Sequence, residues 1–306
     1  MERPYVLHMF TPGSQMSPFD INMAADAGWQ VITPYCGVAL AGIRGLTQDT
    51  VFSRSPKGLA RTGIFIGGRD ALLAADMLDA AKQALVGPFT VSLMADPSGA
   101  YTTAAAMVAC VEAGLKQQGH ADGYAGRRVV VLGGTGPVGR IAGVLAAQAG
   151  ASVALSSRNG IDVADEAAQA TARRFGVRLE GVSGGDRAAV RASIAEADVI
   201  LACAAAGVQV VSAEDLAVAG SLRVAADVNA VPPAGIAGVD VMARNAPIPG
   251  SAALGIGALA IGNVKYQTQQ QLMRRMHEAG SPQVLGFAEA FETARAHLAV
   301  SVAAAG

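Results

Sequence analysis

Three glycines have the clearest chemical purpose in this sequence. Gly134, Gly136 and Gly139 stand at the spacing GxGxxG, inside the run Val129-Val130-Val131-Leu132-Gly133-Gly134-Thr135-Gly136-Pro137-Val138-Gly139. In a chain with 37 glycines the spacing alone means little. Its setting gives it meaning: a buried strand precedes it and a helix starts from it, as in a βαβ unit. There, Gly134 is expected to make the tight turn, Gly136 to let backbone N–H groups approach a pyrophosphate, and Gly139 to let the helix pack on the strand. Thr135, Pro137 and Val138 complete the loop, and the helix N-terminus offers partial positive charge to the phosphates. A glycine turn that only packs a helix, with no ligand, is the plain alternative.

The end of the next strand selects the dinucleotide. NAD-selective loops place an acidic residue about 20 residues beyond the glycines, on the ribose 2′-hydroxyl. Here that place reads Ser156-Ser157-Arg158-Asn159, without a carboxylate. A guanidinium binds a phosphate through two hydrogen bonds, and a serine hydroxyl adds another. Ser157 and Arg158 therefore read as a clamp for the 2′-phosphate of NADP, with NAD use left open. An ordinary solvated arginine is the other reading. No His–carboxylate or Ser–His constellation accompanies the loop, which disfavours hydrolysis.

The elements that must position these residues alternate along the chain. Apolar β-branched runs and helix-length amphipathic stretches succeed one another, implying parallel α/β layers. Strands are expected at Tyr5–Met9, Gln30–Thr33, Gly63–Ile66 and Thr90–Leu93, then at Arg128–Leu132, Ser152–Ser156, Arg178–Val182, Val199–Ala202 and Arg223–Asp227. Helices are expected between them, Asp70 capping one, and two close the chain, Gly255–Ala279 and Gly286–Val300. The polar stretch Gln117–Gly126 reads as a boundary and hinge. Three segments follow: an N-terminal α/β substrate domain (1–120), a Rossmann-type doubly wound parallel sheet (126–260) with a cleft between the two, and C-terminal helices (261–306) packing back on both.

Composition removes other classes. The 306 residues carry 23 basic and 24 acidic side chains and are 52% apolar, so the basic excess a nucleic-acid partner needs is absent. No apolar run reaches the ~20 residues of a membrane span, and the apolar residues after Met1 are too few for a signal peptide. The three cysteines and four histidines are scattered, giving no metal-ligand spacing. A cytoplasmic, metal-free protein is expected.

Longer blocks carry a resemblance. They are Ser17-Pro18-Phe19-Asp20, Gly63-Ile64-Phe65-Ile66-Gly67-Gly68, Asp96-Pro97-Ser98-Gly99 with Thr102-Thr103-Ala104-Ala105, and Gly134–Gly139. Asp227-Val228-Asn229-Ala230-Val231-Pro232-Pro233-Ala234-Gly235-Ile236, Ala253-Leu254-Gly255-Ile256-Gly257 and Gly262-Asn263-Val264-Lys265-Tyr266-Gln267-Thr268-Gln269 complete the set. With these blocks, spread over essentially its whole length, the chain resembles the bacterial NAD(P)-dependent methylene-tetrahydromethanopterin dehydrogenases, a group with methylene-tetrahydrofolate-accepting relatives.

The resemblance implies a pterin substrate, hydride transfer to NADP in one-carbon oxidation, and a homo-oligomer, a trimer. A methylene-tetrahydrofolate enzyme of the same fold and a non-catalytic NADP sensor are the rival readings. On the pterin side it points to Asp20 and Lys265 as catalytic, and to Asp96, Ser98 and Thr102 as substrate-binding. Each also has a structural reading: first-turn dipole compensation for Asp20, an Asp-Pro turn with threonine capping for the next three, and a snorkelling amine for Lys265. On the cofactor side Ala204 is small enough to admit the nicotinamide ribose, and Asn229 is expected near the carboxamide.

Overall fold

The structure, a computed structural model, describes residues 3–303. Met1, Glu2 and residues 304–306, at the ends of the expected first and last segments, lie outside the described residues.

In chain order the first elements are β1 (Val6–Phe10), α1 (Pro18–Asp26), β2 (Val31–Tyr35), α2 (Ile43–Phe52), α3 (Pro56–Leu59), β3 (Thr62–Ile66), α4 (Ala71–Ala84), β4 (Ser92–Ala95) and α5 (Ala100–Gln117). Next come β5 (Arg128–Leu132), α6 (Pro137–Gln148), β6 (Ser152–Ser157), α7 (Ile161–Phe175), β7 (Glu180–Ser183), α8 (Arg187–Ile194), β8 (Val199–Ala202), α9 (Ala213–Leu216) and β9 (Val224–Asp227). The chain closes with β10 (Arg244–Pro247), β11 (Leu254–Ile256), α10 (Ala258–Glu278), β12 (Val284–Leu285) and α11 (Phe287–Ala303).

Two compact units result, Met1–Thr102 with Tyr266–Thr293, and Thr103–Lys265 with Ala294–Gly306. The division falls inside α5, α10 and α11, not in the polar stretch read as a hinge. That stretch is anchored within the second unit, where Tyr124 is buried and its hydroxyl donates to Val108 O of α5 at 3.1 Å. The C-terminal segment, expected as helices packing back on both domains, is divided between the two units, Tyr266–Thr293 going to the first.

The first unit holds a five-stranded sheet in the order β12-β4-β3-β1-β2, all parallel. All five residues of β3 are buried, as expected for a parallel strand covered on both faces. Gly63 within it leaves room for Trp29 and Met276, whose atoms a Cβ would meet at 2.7 and 2.8 Å. Asp70 does cap α4, accepting the N–H groups of Leu72 and Leu73 at 2.8 and 3.1 Å. The strand order turns back on itself between β1 and β3. In open α/β sheets the crevice for a ligand opens at the carboxyl ends of the strands beside such a point. Thr11–Gly13, Gly67–Gly68 and the Asp96 turn extend from those ends.

The second unit holds a seven-stranded sheet in the order β10-β11-β9-β8-β5-β6-β7. Only β10 is antiparallel to its neighbour. From β7 across to β11 this is the 3-2-1-4-5-6 order of dinucleotide-binding folds, reversing between β5 and β8. Its core packs Val130, Ile200, Ala225, Val211, Leu216 and Ile236. The expected helix Gly255–Ala279 starts later than its composition suggests. Leu254, Gly255 and Ile256 pair with Val224, Ala225 and Ala226 as the sixth parallel strand, and the helix begins at Ala258. A short run of small apolar residues has no period of its own, so the free edge of β9 decides its state. The sequence pattern also does not announce α2. It opens from Gly42 without a side-chain cap and contains Gly45, both weak helix signals.

Candidate functional site

At the carboxyl ends of β5, β6 and β8 lies a cavity of about 620 Å³, lined by Thr135, Gly136, Ser157, Arg158 and Ala204 among others. Its size is that of a cofactor pocket, and it sits where the strand order reverses. Its floor is the glycine loop, and each glycine's task can be read from what a side chain there would meet. The turn belongs to Gly133, not Gly134. Gly133 has φ +74, and a Cβ on it would stand 2.7 Å from Cys203 O and 2.8 Å from the backbone of Ala204. Gly134 is instead pressed on β6, its Cβ position 2.8 Å from Leu155 Cα. At Gly139, expected to let the helix pack on the strand, the close neighbour is the loop itself: a Cβ would lie 2.6 Å from Gly133 O and hold α6 off the loop.

Gly136 is different. A Cβ there would meet no protein atom closer than Gly133 O at 3.5 Å, so the space beside it stands open to the cavity. Gly136 is also the N-cap of α6, with Pro137 at the first helical position and no side-chain cap. Proline has no N–H to leave unpaired there. The first-turn N–H groups of Val138 and Gly139 thus meet no capping side chain, the arrangement that receives phosphate.

Arg140, one residue further, holds the loop from behind. Its Nε donates to Thr135 O at 2.9 Å, while another guanidinium nitrogen donates to Ala167 O and Thr171 Oγ1 of α7 at 3.0 and 2.9 Å. It was not singled out in the sequence, because its task depends on a helix folded against it. At the end of β6, Ser157 is buried and its Oγ accepts the Asn159 N–H at 3.1 Å, leaving the hydroxyl proton to donate. Arg158 follows, exposed on the cavity wall. The loop, an arginine without a carboxylate partner among the described residues and the cavity's size together fit a dinucleotide carrying a 2′-phosphate.

On the far side, Ala204 lies against Gly133 after β8. Cys203 stands beside it. Burial, helped by Asp227, pushes its thiol pKa up to about 12. Asn229 does not line this cavity but a smaller one of about 120 Å³. Its side chain is a brace: Oδ1 accepts Gly207 N and Val231 N at 3.0 and 2.9 Å, and Nδ2 donates to Pro233 O at 2.8 Å. Those contacts tie the loop after β8 to the loop after β9. Asp227 anchors the same loop, accepting Asn229 N at 2.9 Å and Ile236 N at 3.1 Å. Burial raises its pKa, and those bonds resist the rise.

In the first unit Asp96 is fully buried at the end of β4, and its contacts match the capping alternative. Oδ1 accepts the N–H groups of Tyr101 and Thr102 at 2.9 and 3.1 Å, and Oδ2 accepts the Thr102 hydroxyl at 2.7 Å. Ser98 protrudes from the same turn with φ 51 and ψ 34, a left-handed conformation rare for a non-glycine residue. Its hydroxyl donates to Gly68 O at 2.7 Å, linking the loops after β3 and β4. Strain of this kind gathers at binding sites. Asp20, in the first turn of α1, is also buried, and Gln269 of α10 donates to its Oδ1 at 2.9 Å. Lys265 is half-buried on α10, one helical turn before Gln269 and on the same face.

Sequence reading missed the polar cluster that lines the same cavity as Arg158. Arg187 of α8 lines the cavity, its Nε 3.1 Å from Asp215 Oδ1, with Ser212 Oγ also in hydrogen-bond contact. Asp215 is the N3 residue of a capping box with Ser212 at the start of α9. Burial would raise its pKa, but hydrogen bonds from Arg191, Ser212 and Arg187 hold it well below the usual carboxylate range. The Ser212–Asp215 spacing is a visible capping signal. Its link to Arg187 spans 28 residues and has no local signature.

Comparison with known proteins agrees with this geometry. Residues 18–98 match the family described as methylene-tetrahydromethanopterin dehydrogenase, N-terminal. The NAD(P)-dependent methylenetetrahydromethanopterin dehydrogenase of Methylorubrum extorquens is 50% identical over 289 residues, covering 94% of this chain and 97% of that protein. Bifunctional protein MdtA of the same organism is 32% identical over 274 residues, 90% of this chain and 92% of its own. Among solved structures, quinate dehydrogenase from Corynebacterium glutamicum in complex with NAD aligns with a TM-score of 0.54 at 14% identity, over 95% of this chain and 98% of that one. Shikimate 5-dehydrogenase from Listeria monocytogenes in complex with shikimate and NAD aligns at 0.52 and 12%, over 88% and 91%. These two share the fold. By the extent and identity of its match to the first relative, the chain belongs to the methylene-tetrahydromethanopterin dehydrogenase family.

Proposed function

We propose that the protein oxidises methylene-tetrahydromethanopterin to the methenyl form with NADP as the hydride acceptor. The observation that carries the reading is the 50% identity, over nearly its full length, to a relative named for this activity. The cavity at the glycine loop supports the cofactor half of it.

In the reaction one C–H bond of the methylene bridge breaks and its electron pair leaves with the hydrogen. The carbon becomes a methenyl cation shared by the two flanking nitrogens of the pterin. When bound, NADP supplies C4 of the nicotinamide as acceptor, so the chemistry needs neither an obligatory general acid nor a metal. The chain's own task is to align donor and acceptor carbons at about 3–3.5 Å and to exclude water. Thr135, Gly136 and the first turn of α6 hold the pyrophosphate. Ser157 and Arg158 hold the 2′-phosphate. Asn229 and Asp227 keep the loops after β8 and β9 in register, so Asn229 acts on the nicotinamide end as a positioning residue.

On the substrate side, Asp20 supplies negative charge that favours the developing cation. Lys265 donates to carbonyl oxygen or ring nitrogen acceptors of the pterin, away from the bridge, where its own charge would oppose the reaction. Ser98, held in its strained turn by Asp96 and Thr102, completes the grip. The assembly that goes with this reading is a cytoplasmic homo-oligomer, a trimer, working in the oxidation of formaldehyde-level carbon. A four-way assay tests the function: methylene-tetrahydromethanopterin and methylene-tetrahydrofolate, each with NAD and NADP. The highest kcat/KM is expected for the first pterin with NADP. No hydride transfer in any arm would overturn the reading, and a preference for the folate would reassign the substrate.

A further inference from the structure

The cavity wall carries two arginines, and they differ in one respect. Arg158, after β6, has no carboxylate partner among the described residues. Arg187, at the start of α8, has two: Nε lies 3.1 Å from Asp215 Oδ1, and a terminal nitrogen lies 3.4 Å from Glu214 Oε2. Both arginines belong to the same end of the cavity. Gly184 of the β7–α8 loop donates to Ser157 O at 2.8 Å, which lays that loop against the residue preceding Arg158. A Cβ on the adjoining Gly185 would stand 3.5 Å from Arg158 O.

We propose that Arg187 is a second cation for the 2′-phosphate whose charge Asp215 and Glu214 mask, and that this mask sets the preference between NADP and NAD. The inference rests on the reading of the cavity as an NADP site. The physics is charge balance at short range. A guanidinium closely paired with a carboxylate presents a much reduced field to a third group, and a second carboxylate nearby repels an incoming dianion. Asp215 is only 4% exposed although Arg187 is 56% exposed, so solvent reaches the pair from the arginine side and salt will weaken it. Both carboxylates are shared with Arg191, whose Nε lies 2.6 Å from Asp215 Oδ1. The cavity thus offers one answered and one unanswered cation. That balance binds a 2′-phosphate without demanding it. Arg187 also donates to Ser212 Oγ, a contact that Asp215→Asn leaves in place to hold the unmasked cation.

The test is calorimetric titration of the full-length protein with NADP and with NAD, comparing the ratio of their dissociation constants. Asp215→Asn keeps an oxygen for the capping box and removes the charge. It should raise the preference for NADP at least threefold, chiefly through tighter NADP binding, and the gain should shrink in high salt. Glu214→Gln, at a side chain 76% exposed, should move the ratio the same way by less, and carries the test should the first variant fold poorly. Adding Arg187→Met to Asp215→Asn should cancel the gain. A ratio within 1.5-fold of wild type in the folded variants would overturn the mask, as would a gain that survives loss of Arg187. Wild-type protein that binds neither dinucleotide would instead overturn the cavity reading on which the mask depends.

Discussion

Gly136→Ala adds one methyl group at the position where the glycine loop opens to the cavity. The backbone tolerates it, since Gly136 sits at φ −75 and ψ 166, extended values open to any residue. The fold tolerates it as well, because the nearest protein atom would be Gly133 O at 3.5 Å, ordinary contact. What remains is the poorer N-cap, roughly 0.5–1 kcal/mol for alanine in place of glycine. In a chain of this size that is about 1–4 °C of melting temperature. The ligand cannot tolerate it. A phosphate oxygen bonded to first-turn N–H groups must come within about 2.9 Å of them, and a methyl group in that space displaces it. Loss of a charge-assisted bond costs about 1.5–3 kcal/mol, a roughly 10- to 150-fold rise in the dissociation constant for NADP and NAD alike. Calorimetric titration beside a melting curve reads both quantities. A variant that melts as predicted but binds NADP within twofold of wild type would refute the loop as the phosphate cradle. Gly139→Ala is the companion, because its Cβ would stand 2.6 Å from Gly133 O and 2.8 Å from Gly134 Cα. With only backbone to yield, that variant should lose binding through a shifted helix.

Three further outcomes are expected. Arg158→Ala should raise the KM for NADP about 10- to 150-fold, from roughly 1.5–3 kcal/mol of lost bonding, and leave the KM for NAD nearly unchanged; equal small effects on both cofactors would dismiss the clamp. Lys265→Met keeps the stem but removes the donor, so kcat/KM for the pterin should fall at least tenfold, about 1.4 kcal/mol, with NADP affinity and melting temperature little changed. A lower melting temperature with normal pterin kinetics would make it a structural lysine. Asp215, held low by Arg191, Ser212 and Arg187 against the pull of burial, contributes stability that is present above the ordinary carboxylate pKa of about 4 and lost as pH falls through its lower folded value. Acid melting curves of Asp215→Asn should therefore flatten below about pH 4 relative to wild type, and parallel curves would disprove the linkage.

Local order determined much of this protein before any tertiary contact. The strands Arg128–Leu132 and Val199–Ala202 end where expected, because short β-branched runs bounded by glycine or polar residues carry their own limits. The glycine spacing and Ser157-Arg158 stood out as candidates for one site because each is contiguous in the chain, and both line the same cavity. Tertiary structure decided the rest, wherever an outcome depends on a neighbour far away in sequence. Gly133 became the turn because the loop after β8 presses on it, and Leu254–Ile256 became a strand because β9 offered an edge. Asn229 became a brace because the loops after β8 and β9 converge on its amide. Arg187 met Asp215 across 28 residues because α8 and α9 cover the same sheet. A residue's type states which bonds it is able to make, and only the packed fold chooses the partner.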